Sequence, residues 1–208
     1  MKACRHFAGF RTVCLVGILF VAVSLSIGPT AARAQYDLIA VYSDTTRTDC
    51  NVTEYEGPTG WWLVFYVFHY SAGGAQGARF ACPRPNCFTE YSYFGAFEPF
   101  PGVTGTPEDG VTIPYGSCLR GWTHVLTVVY YTQGNPGVGV CCEYPISPHP
   151  QSMTGSVEVL NCASNWVAAS HASAFVNANA SCPCEVTTGI PESDTTWGGV
   201  KALYGGQQ

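Results

Sequence analysis

Basic side chains are scarce in this sequence of 208 residues, which holds nine Lys and Arg against 14 Asp and Glu. Four of the nine bases, and no acid, lie in the first 34 residues, so the remaining chain sets five bases against 14 acids, a formal charge of −9. A chain this acidic has no positive patch for nucleic acid or for an anionic membrane surface. We therefore expect no nucleic-acid partner.

Motifs of catalysis and metal binding are also lacking. No histidines are spaced as H-x-H or H-E-x-x-H, and no D-x-D-x-D-G run accompanies Asp44 and Asp49. Ser71 follows a strong strand signal, but His69 stands where a nucleophile elbow needs its first glycine. The expected structure there is a turn that leaves the strand. We predict no catalytic residue, no metal site and no cofactor, and we favour a non-enzymatic function.

Charged residues are absent from residues 12–28, which form an almost wholly apolar run near the N-terminus. Lys2, Arg5 and Arg11 precede this run, and Ala32-Arg33-Ala34 supplies a small-x-small cleavage site after it. The arrangement is typical of a secretory signal peptide. A run of about 17 residues is at the lower limit for spanning a bilayer, but the Gly28-Pro29 break favours cleavage. We expect residues 1–34 to be removed and the protein to be secreted or held at the cell surface or in the periplasm.

Cysteine is plentiful, and an oxidising compartment makes disulfides the default interpretation. Nine cysteines follow the predicted signal: Cys50, Cys82, Cys87, Cys118, Cys141, Cys142, Cys162, Cys182 and Cys184. At most four bridges can form, so one thiol is left over. Zinc held by Cys82-x4-Cys87 and Cys182-x-Cys184 is the less favoured alternative, because neither spacing is C-x2-C.

Three expectations about the pairing follow from strand geometry and loop length. Cys141 and Cys142 should bond to different partners, because successive residues of a strand point to opposite faces. For the same reason Cys182 and Cys184 should not bridge to each other. The short loop between Cys82 and Cys87 favours a local bridge there.

Strand signals dominate the chain after the signal. Gly60–Tyr70 and Gly121–Thr132 are long aromatic and β-branched runs, which favour central strands buried on both faces. The weaker candidates are Tyr36–Ser43, Ala78–Ala81, Tyr91–Phe97, Gly110–Ile113, Val138–Cys142, Ser156–Leu160 and Ala172–Asn177. Turn signals separate them, so we predict an all-β fold, a disulfide-bonded, Ig-like β-sandwich over residues 35–186.

The C-terminal residues 187–208 are predicted to be a linker and a short helix over Glu192–Tyr204. Ser193 or Asp194 can cap this helix, and its apolar side chains fall on one stripe. We expect the stripe to be a docking surface. The predicted docking residues are Trp197, Val200, Leu203 and Tyr204 of the stripe, together with Lys201.

Aromatic residues are in surplus. Those of the two strong strands, Trp61, Trp62, Trp122, Tyr130 and Tyr131, are expected to fill the core. The segment 91–100, rich in Gly, Pro and aromatics, is the better surface candidate. Its proposed binding residues are Tyr91, Tyr93, Phe94 and Phe97.

Several short motifs occur in a fixed order. They are Ile39–Asp44 with Cys50, Tyr115–Cys118, Val176-Asn177 before Cys182-Pro183-Cys184, and Thr196–Tyr204 of the form T-W-G-x-x-K-x-L-Y. In this order of motifs the chain resembles a set of uncharacterised secreted bacterial proteins rich in cysteine. The resemblance implies a secreted β fold and transfers no activity or site residue.

The sequence thus predicts an exported, non-catalytic protein, a module for surface attachment or recognition. Its partner would be a protein or a glycan at the cell surface. Two alternatives remain open, a carbohydrate-binding module and a small secreted hydrolase whose site is assembled in space.

Overall fold

The computed structural model describes residues 36–134 and 137–186, and within them every regular element is a strand. The predicted all-β class is confirmed. The strands are β1 (Asp37–Tyr42), β2 (Asn51–Val52), β3 (Tyr55–Gly57), β4 (Gly60–Phe80), β5 (Ser92–Phe97), β6 (Thr104–Thr106), β7 (Gly110–Thr132), β8 (Cys142–Tyr144), β9 (Glu158–Asn161), β10 (Trp166–Ala168), β11 (Ser170–Ala172) and β12 (Ala174–Val176).

Two long antiparallel strands, β4 and β7, form the spine of the larger sheet. Both are longer than predicted: β4 continues from Tyr70 to Phe80, and β7 unites the predicted segments Gly110–Ile113 and Gly121–Thr132. The prediction of a turn after Ser71 was wrong. The glycines in this region, instead of ending the strands, accommodate register shifts in the ladder between Ser71 and Gly77, which allow two long strands to bend.

Different neighbours flank the two halves of the spine. Along its first half the strand order is β11–β1–β4–β7–β5, with β3 also paired to the start of β4. Along its second half the order is β10–β9–β4–β7–β6. Strands β2, β12 and β8 form a separate three-stranded sheet.

The core lies between the two sheets. Leu63, Phe65 and Val67 alternate along β4 and are fully buried on one face. Phe65 stacks on Tyr144 of the small sheet, with ring centroids 3.9 Å apart. The same apolar cluster includes side chains of both halves of the spine and of β12. The fold is therefore a β-sandwich, as predicted.

The opposite face of β4 differs from the prediction, which had both faces buried. Trp62, Val64 and Tyr66 on this outer face are only partly covered. Further along the strand, Phe68 belongs to a second, smaller apolar cluster with Leu38, Ala40 and Tyr42 of β1. The outer face is thus apolar throughout but covered at one end only, because no second layer packs over the start of β4 among the described residues.

Four disulfides link the described residues. They are Cys50–Cys184, Cys87–Cys142, Cys118–Cys162 and Cys141–Cys182. The neighbours Cys141 and Cys142 have different partners, and Cys182 and Cys184 do not bridge to each other, so both of these predictions are confirmed.

The predicted Cys82–Cys87 bridge was wrong. Cys82 is the free cysteine of the described residues and is fully buried. Ala81 pairs with Ser147, and the Cys82 N–H donates to the Pro107 carbonyl, which carries the thiol into the core while Cys87 bonds to Cys142. The zinc alternative is also excluded, because Cys87, Cys182 and Cys184 are all disulfide-bonded.

The predicted signal, residues 1–34, and the predicted C-terminal helix, Glu192–Tyr204, lie outside the described residues. In the described part of the chain, no helix has the length and apolar character needed to cross a bilayer.

Candidate ligand-binding site

A row of four aromatic side chains crosses the uncovered end of the outer face. Strand pairing places Tyr55 of β3 opposite Trp62 of β4, and Trp62 opposite Tyr131 of β7. Phe94 of β5 completes the row, with its ring centroid 5.0 Å from that of Trp62. Trp62 and Tyr131 are closer still, at 4.4 Å. We call Tyr55, Trp62, Tyr131 and Phe94 the aromatic row.

Phe94 lies at a β-bulge of β5. The register of β5 against β7 shifts between Tyr93 and Gly95, so one extra residue is inserted there. Tyr93 contacts Tyr130, which points into the core, whereas Phe94 lies against the outer face and is 57% exposed. Phe94 therefore adds an exposed aromatic ring to the row.

Close backbone packing fixes the position of Trp62. Gly57 lies so near the indole that a Cβ atom there would be 2.6 Å from its Nε1. At the next position in the row, the Tyr131 hydroxyl donates a hydrogen bond to the Thr59 carbonyl. The rings of the row are thus held by neighbouring backbone and by one another.

The structure separates the four binding residues predicted for segment 91–100. Tyr93, Phe94 and Phe97 are exposed, at 38%, 57% and 57%. Tyr91 is buried instead and donates a hydrogen bond of 2.9 Å from its hydroxyl to Glu54, so its predicted surface position was wrong. Tyr91 lies just before β5, and its ring contacts Phe88 of the core. Burial, reinforced by Glu54, raises the pKa of the Tyr91 hydroxyl.

A groove of about 370 Å³ adjoins the row and shares Tyr55 with it. Val64 and Tyr66 of the outer face contribute apolar lining, and the segment that joins β1 to β3 through β2, called the β1–β3 loop below, contributes mainly polar groups. The lining residues are Ser43, Asp49, Asn51, Val52, Thr53, Tyr55, Val64 and Tyr66. An aromatic side and a polar side therefore meet in one concave site.

Internal bonds hold the polar side of the groove in place. The Asp49 carboxylate accepts a hydrogen bond of 2.8 Å from the Asn51 N–H, and the Asn51 side-chain oxygen accepts one from the Ala178 N–H. Between these residues, Cys50 is tied to Cys184. The loop is thus anchored to the body of the fold.

Asp44 secures the earlier part of the same loop. Its carboxylate accepts hydrogen bonds from the Thr48 N–H and from the hydroxyls of Thr46 and Thr48. Burial raises the pKa of Asp44, but these hydrogen bonds outweigh it and hold the pKa below its usual value. The loop therefore has a closed shape before any ligand arrives.

Charge around the groove is negative. Asp49 lines it, and Glu54 and Glu56 flank Tyr55 in the chain. Arg47, the base in the β1–β2 loop, lies over the rings of Phe68 and Trp122, at 5.2 and 5.1 Å from their centroids. An anionic ligand would meet the Asp49 carboxylate and no base among the lining residues.

Buried polar groups form a separate cluster under the bend of the spine. The Tyr115 hydroxyl is 3.0 Å from His69 Nδ1, and His69 Nε2 is 3.6 Å from the Asp37 carboxylate. Nearby in the chain, the Ser71 hydroxyl accepts a hydrogen bond from the Gly74 N–H. His69 and Ser71 are each 1% exposed, so no substrate can reach them.

The remaining histidines do not assemble into a site either. His124 Nε2 is 2.9 Å from the Thr127 hydroxyl and 3.1 Å from the Leu126 carbonyl. Burial lowers the pKa of His124, which the bond to Leu126 only partly offsets. Within residues 36–134 and 137–186, no three His, Cys, Asp or Glu side chains are grouped closely enough to hold a metal ion.

No protein-family model matches the sequence, and no curated protein does. Similar solved structures are cohesin domains. A non-cellulosomal cohesin from the archaeon Archaeoglobus fulgidus is 10% identical with a TM-score of 0.46, and the match covers 70% of this chain and 93% of the cohesin. The seventh ScaB type I cohesin from Pseudobacteroides cellulosolvens is 10% identical with a TM-score of 0.48, and the match covers 72% and 96%.

A third similar structure is the sixth cohesin of scaffoldin B from Acetivibrio cellulolyticus, solved in complex with a Cel5 dockerin mutant. It is 10% identical with a TM-score of 0.42, and the match covers 69% of this chain and 99% of the cohesin. Likenesses of this degree identify no family for the chain and transfer no binding residue to it.

Three members of the site, Tyr55, Trp62 and Tyr131, are not among the binding residues that the sequence predicts. Trp62 and Tyr131 were assigned to the core because their strands are apolar on both faces. The adjacent pair Trp61-Trp62 held a usable signal, since neighbouring strand residues must point to opposite faces. Only one of the two could enter the core.

Proposed function

We propose that this protein is a non-catalytic recognition module, exported from the cell, that binds its ligand with the aromatic row. The observation that supports the proposal is the contiguity of Tyr55, Trp62, Tyr131 and Phe94 on one open sheet face. Tyr55 and Phe94 are 50% and 57% exposed; the Phe94 ring contacts Trp62, and Tyr55 lies opposite Trp62 in the ladder.

Physical reasons favour a binding role for such a row. Contiguous exposed apolar surface is unfavourable in water and marks interaction sites in soluble proteins. Aromatic rings also contribute a large contact area with few rotatable bonds, so ordering them on binding costs little entropy. In this row, the ring contacts and the backbone around Trp62 already limit the rotamers. The bound arrangement is therefore largely formed in the free protein.

The location of the ligand follows from the expected export. A chain with a cleaved N-terminal signal and disulfides works in an oxidising compartment, where the cell envelope is the nearest extended surface. We place the partner of the aromatic row on that surface.

A sedimentation assay with isolated envelopes of the producing organism tests the proposal. Purified residues 35–208 should co-sediment, and Phe94→Ala combined with Tyr55→Ala should weaken the binding at least tenfold, because each change removes an exposed ring of the row. Met153→Ala is the matched control, since Met153 is 73% exposed and lies outside the row. Equal binding by the double variant, or no binding by the unaltered protein, would overturn the proposal.

A further inference from the structure

We propose that the groove between the β1–β3 loop and the outer face of β4 binds one ring of a neutral glycan. This inference rests on the proposed function, because the groove continues the aromatic row through Tyr55. It names the chemical class of the ligand, which the row alone does not specify.

The two sides of the groove match the two surfaces of a sugar ring. A pyranose has an apolar C–H face, for which Tyr55, Val64 and Tyr66 provide rings and a methyl surface. Its hydroxyl edge needs groups that both donate and accept hydrogen bonds. Ser43 and Thr53 carry hydroxyls suited to that role, Asn51 an amide, and Asp49 a carboxylate.

Those polar groups retain free hydrogen-bonding capacity. The Asp49 carboxylate uses one oxygen for the Asn51 N–H, which leaves its second oxygen without a partner among the described residues. The hydroxyls of Ser43 and Thr53 likewise have no hydrogen-bond partner in the described part of the chain. Exposed acceptors and donors beside an aromatic wall are typical of sites that orient a polar ligand.

Size and shape favour a small ring over a protein surface. Small-molecule sites are concave and usually have volumes of roughly 300–1,000 Å³. The groove, at about 370 Å³, falls at the lower end of that range. A flat protein partner would leave this concavity unfilled and its polar groups unpaired.

Charge narrows the class to neutral glycans. The groove contains the Asp49 carboxylate and no basic side chain, and Arg47 is engaged by Phe68 and Trp122. A uronic acid or sulfated sugar would be repelled by Asp49 and would gain no ion pair. A neutral hexose or N-acetylhexosamine is not repelled by Asp49 and needs no ion pair.

Calorimetric titration with defined hexasaccharides tests the inference on purified residues 35–208. The probes are neutral β-1,4-linked glucose and β-1,4-linked N-acetylglucosamine, and an anionic oligogalacturonate. At least one neutral hexasaccharide should bind, and the anionic one should bind at least tenfold more weakly. Failure of both neutral probes, or equal binding of the anionic one, would overturn the inference.

Two variants localise the binding to the groove. Tyr66→Ala removes an aromatic contact and should weaken binding of the neutral probe about tenfold, while Asp49→Ala with Thr53→Ala should weaken it several-fold. Met153→Ala should leave it unchanged. Because Tyr66 is partly buried, thermal unfolding of each variant is measured alongside. Asp49 and Thr53 are exposed, so the variant with Asp49→Ala and Thr53→Ala provides the test if Tyr66→Ala does not fold. Unchanged affinity in that pair would contradict the assignment.

Treated envelopes separate the failure of this inference from failure of the proposed function. An excess of the neutral hexasaccharide that binds in the calorimeter should abolish envelope binding by competition, and protease digestion of the envelopes should not. The reverse pattern would mean that the aromatic row binds a protein, which overturns the glycan assignment and leaves the recognition module intact. Unchanged envelope binding by the variant with Tyr55→Ala and Phe94→Ala would instead overturn the proposed function itself.

Discussion

At the scale of single residues, the position of Cys82 in the fold determines the reactivity of its thiol. Cys82 is fully buried, with the Tyr144 hydroxyl beside its thiol. Burial raises the pKa of this thiol to about 12, and the neighbouring Tyr144 hydroxyl offsets that rise only in part. A thiol with such a pKa is almost entirely protonated at neutral pH and is a poor nucleophile.

We therefore predict that the folded chain, residues 35–208, does not react with a thiol reagent at pH 8. After denaturation without reductant, one thiol per chain should react, and mass spectrometry should place the label on Cys82. Cys82→Ala should remove that label and leave the four disulfides in place. Labelling of the native protein would contradict the burial of Cys82. Labelling of Cys87 after denaturation would contradict the Cys87–Cys142 pairing.

At the scale of elements, the bend of the spine depends on a glycine packed against a disulfide. Gly74 has a φ of 96°, and a Cβ atom there would lie 2.7 Å from Cys162 Sγ and 2.8 Å from Cys118 Sγ. Any other residue would have to adopt a conformation that L side chains rarely take and would displace the Cys118–Cys162 bridge.

Gly74→Ala should therefore lower the free energy of unfolding by about 1–3 kcal/mol, measured by denaturant titration. Gly95→Ala is the control, because a Cβ atom at Gly95 would meet no atom within 4 Å. Its effect should be within about 0.5 kcal/mol. If the two variants were equally stable, the bend would not need its glycine.

The sequence could predict the strand content but not where the strands stop. The aromatic run of Gly60–Tyr70 was found correctly because β propensity is local, yet its continuation through Ser71–Gly77 was missed. Glycines there resemble a turn signal, and only pairing with distant β7 residues makes them part of a strand. The same limit applied to cysteine pairing, since the fold brings Cys87 to Cys142, 55 residues away.

At the same scale, one of the four residues of the aromatic row, Phe94, could be predicted from the sequence. Phe94 and Phe97 stood out because aromatics cluster there with Gly and Pro, outside any strong strand. Trp62 and Tyr131 could not be assigned to the surface, because a run apolar on both faces does not reveal which face lacks a covering layer. That depends on the three-stranded sheet packing on one side of β4 only.

At the scale of the whole molecule, one face of the larger sheet forms the core and the opposite face carries the candidate binding site. The inner face packs against the small sheet through rings such as Phe65 and Tyr144. The outer face leaves the aromatic row and the groove uncovered in the described structure. Four disulfides stabilise the folded state, so the sandwich can keep apolar rings exposed on its outer face.

The most direct test of this account is hydroxyl-radical footprinting of the chain, free and bound to envelopes. Binding through the aromatic row predicts that oxidation of Tyr55, Trp62 and Phe94 falls several-fold in the bound state, because the ligand excludes water from those rings. Oxidation of Met153, which is 73% exposed outside the row, should not change. Unchanged oxidation of the row in bound protein, or protection centred on Met153, would contradict the central claim.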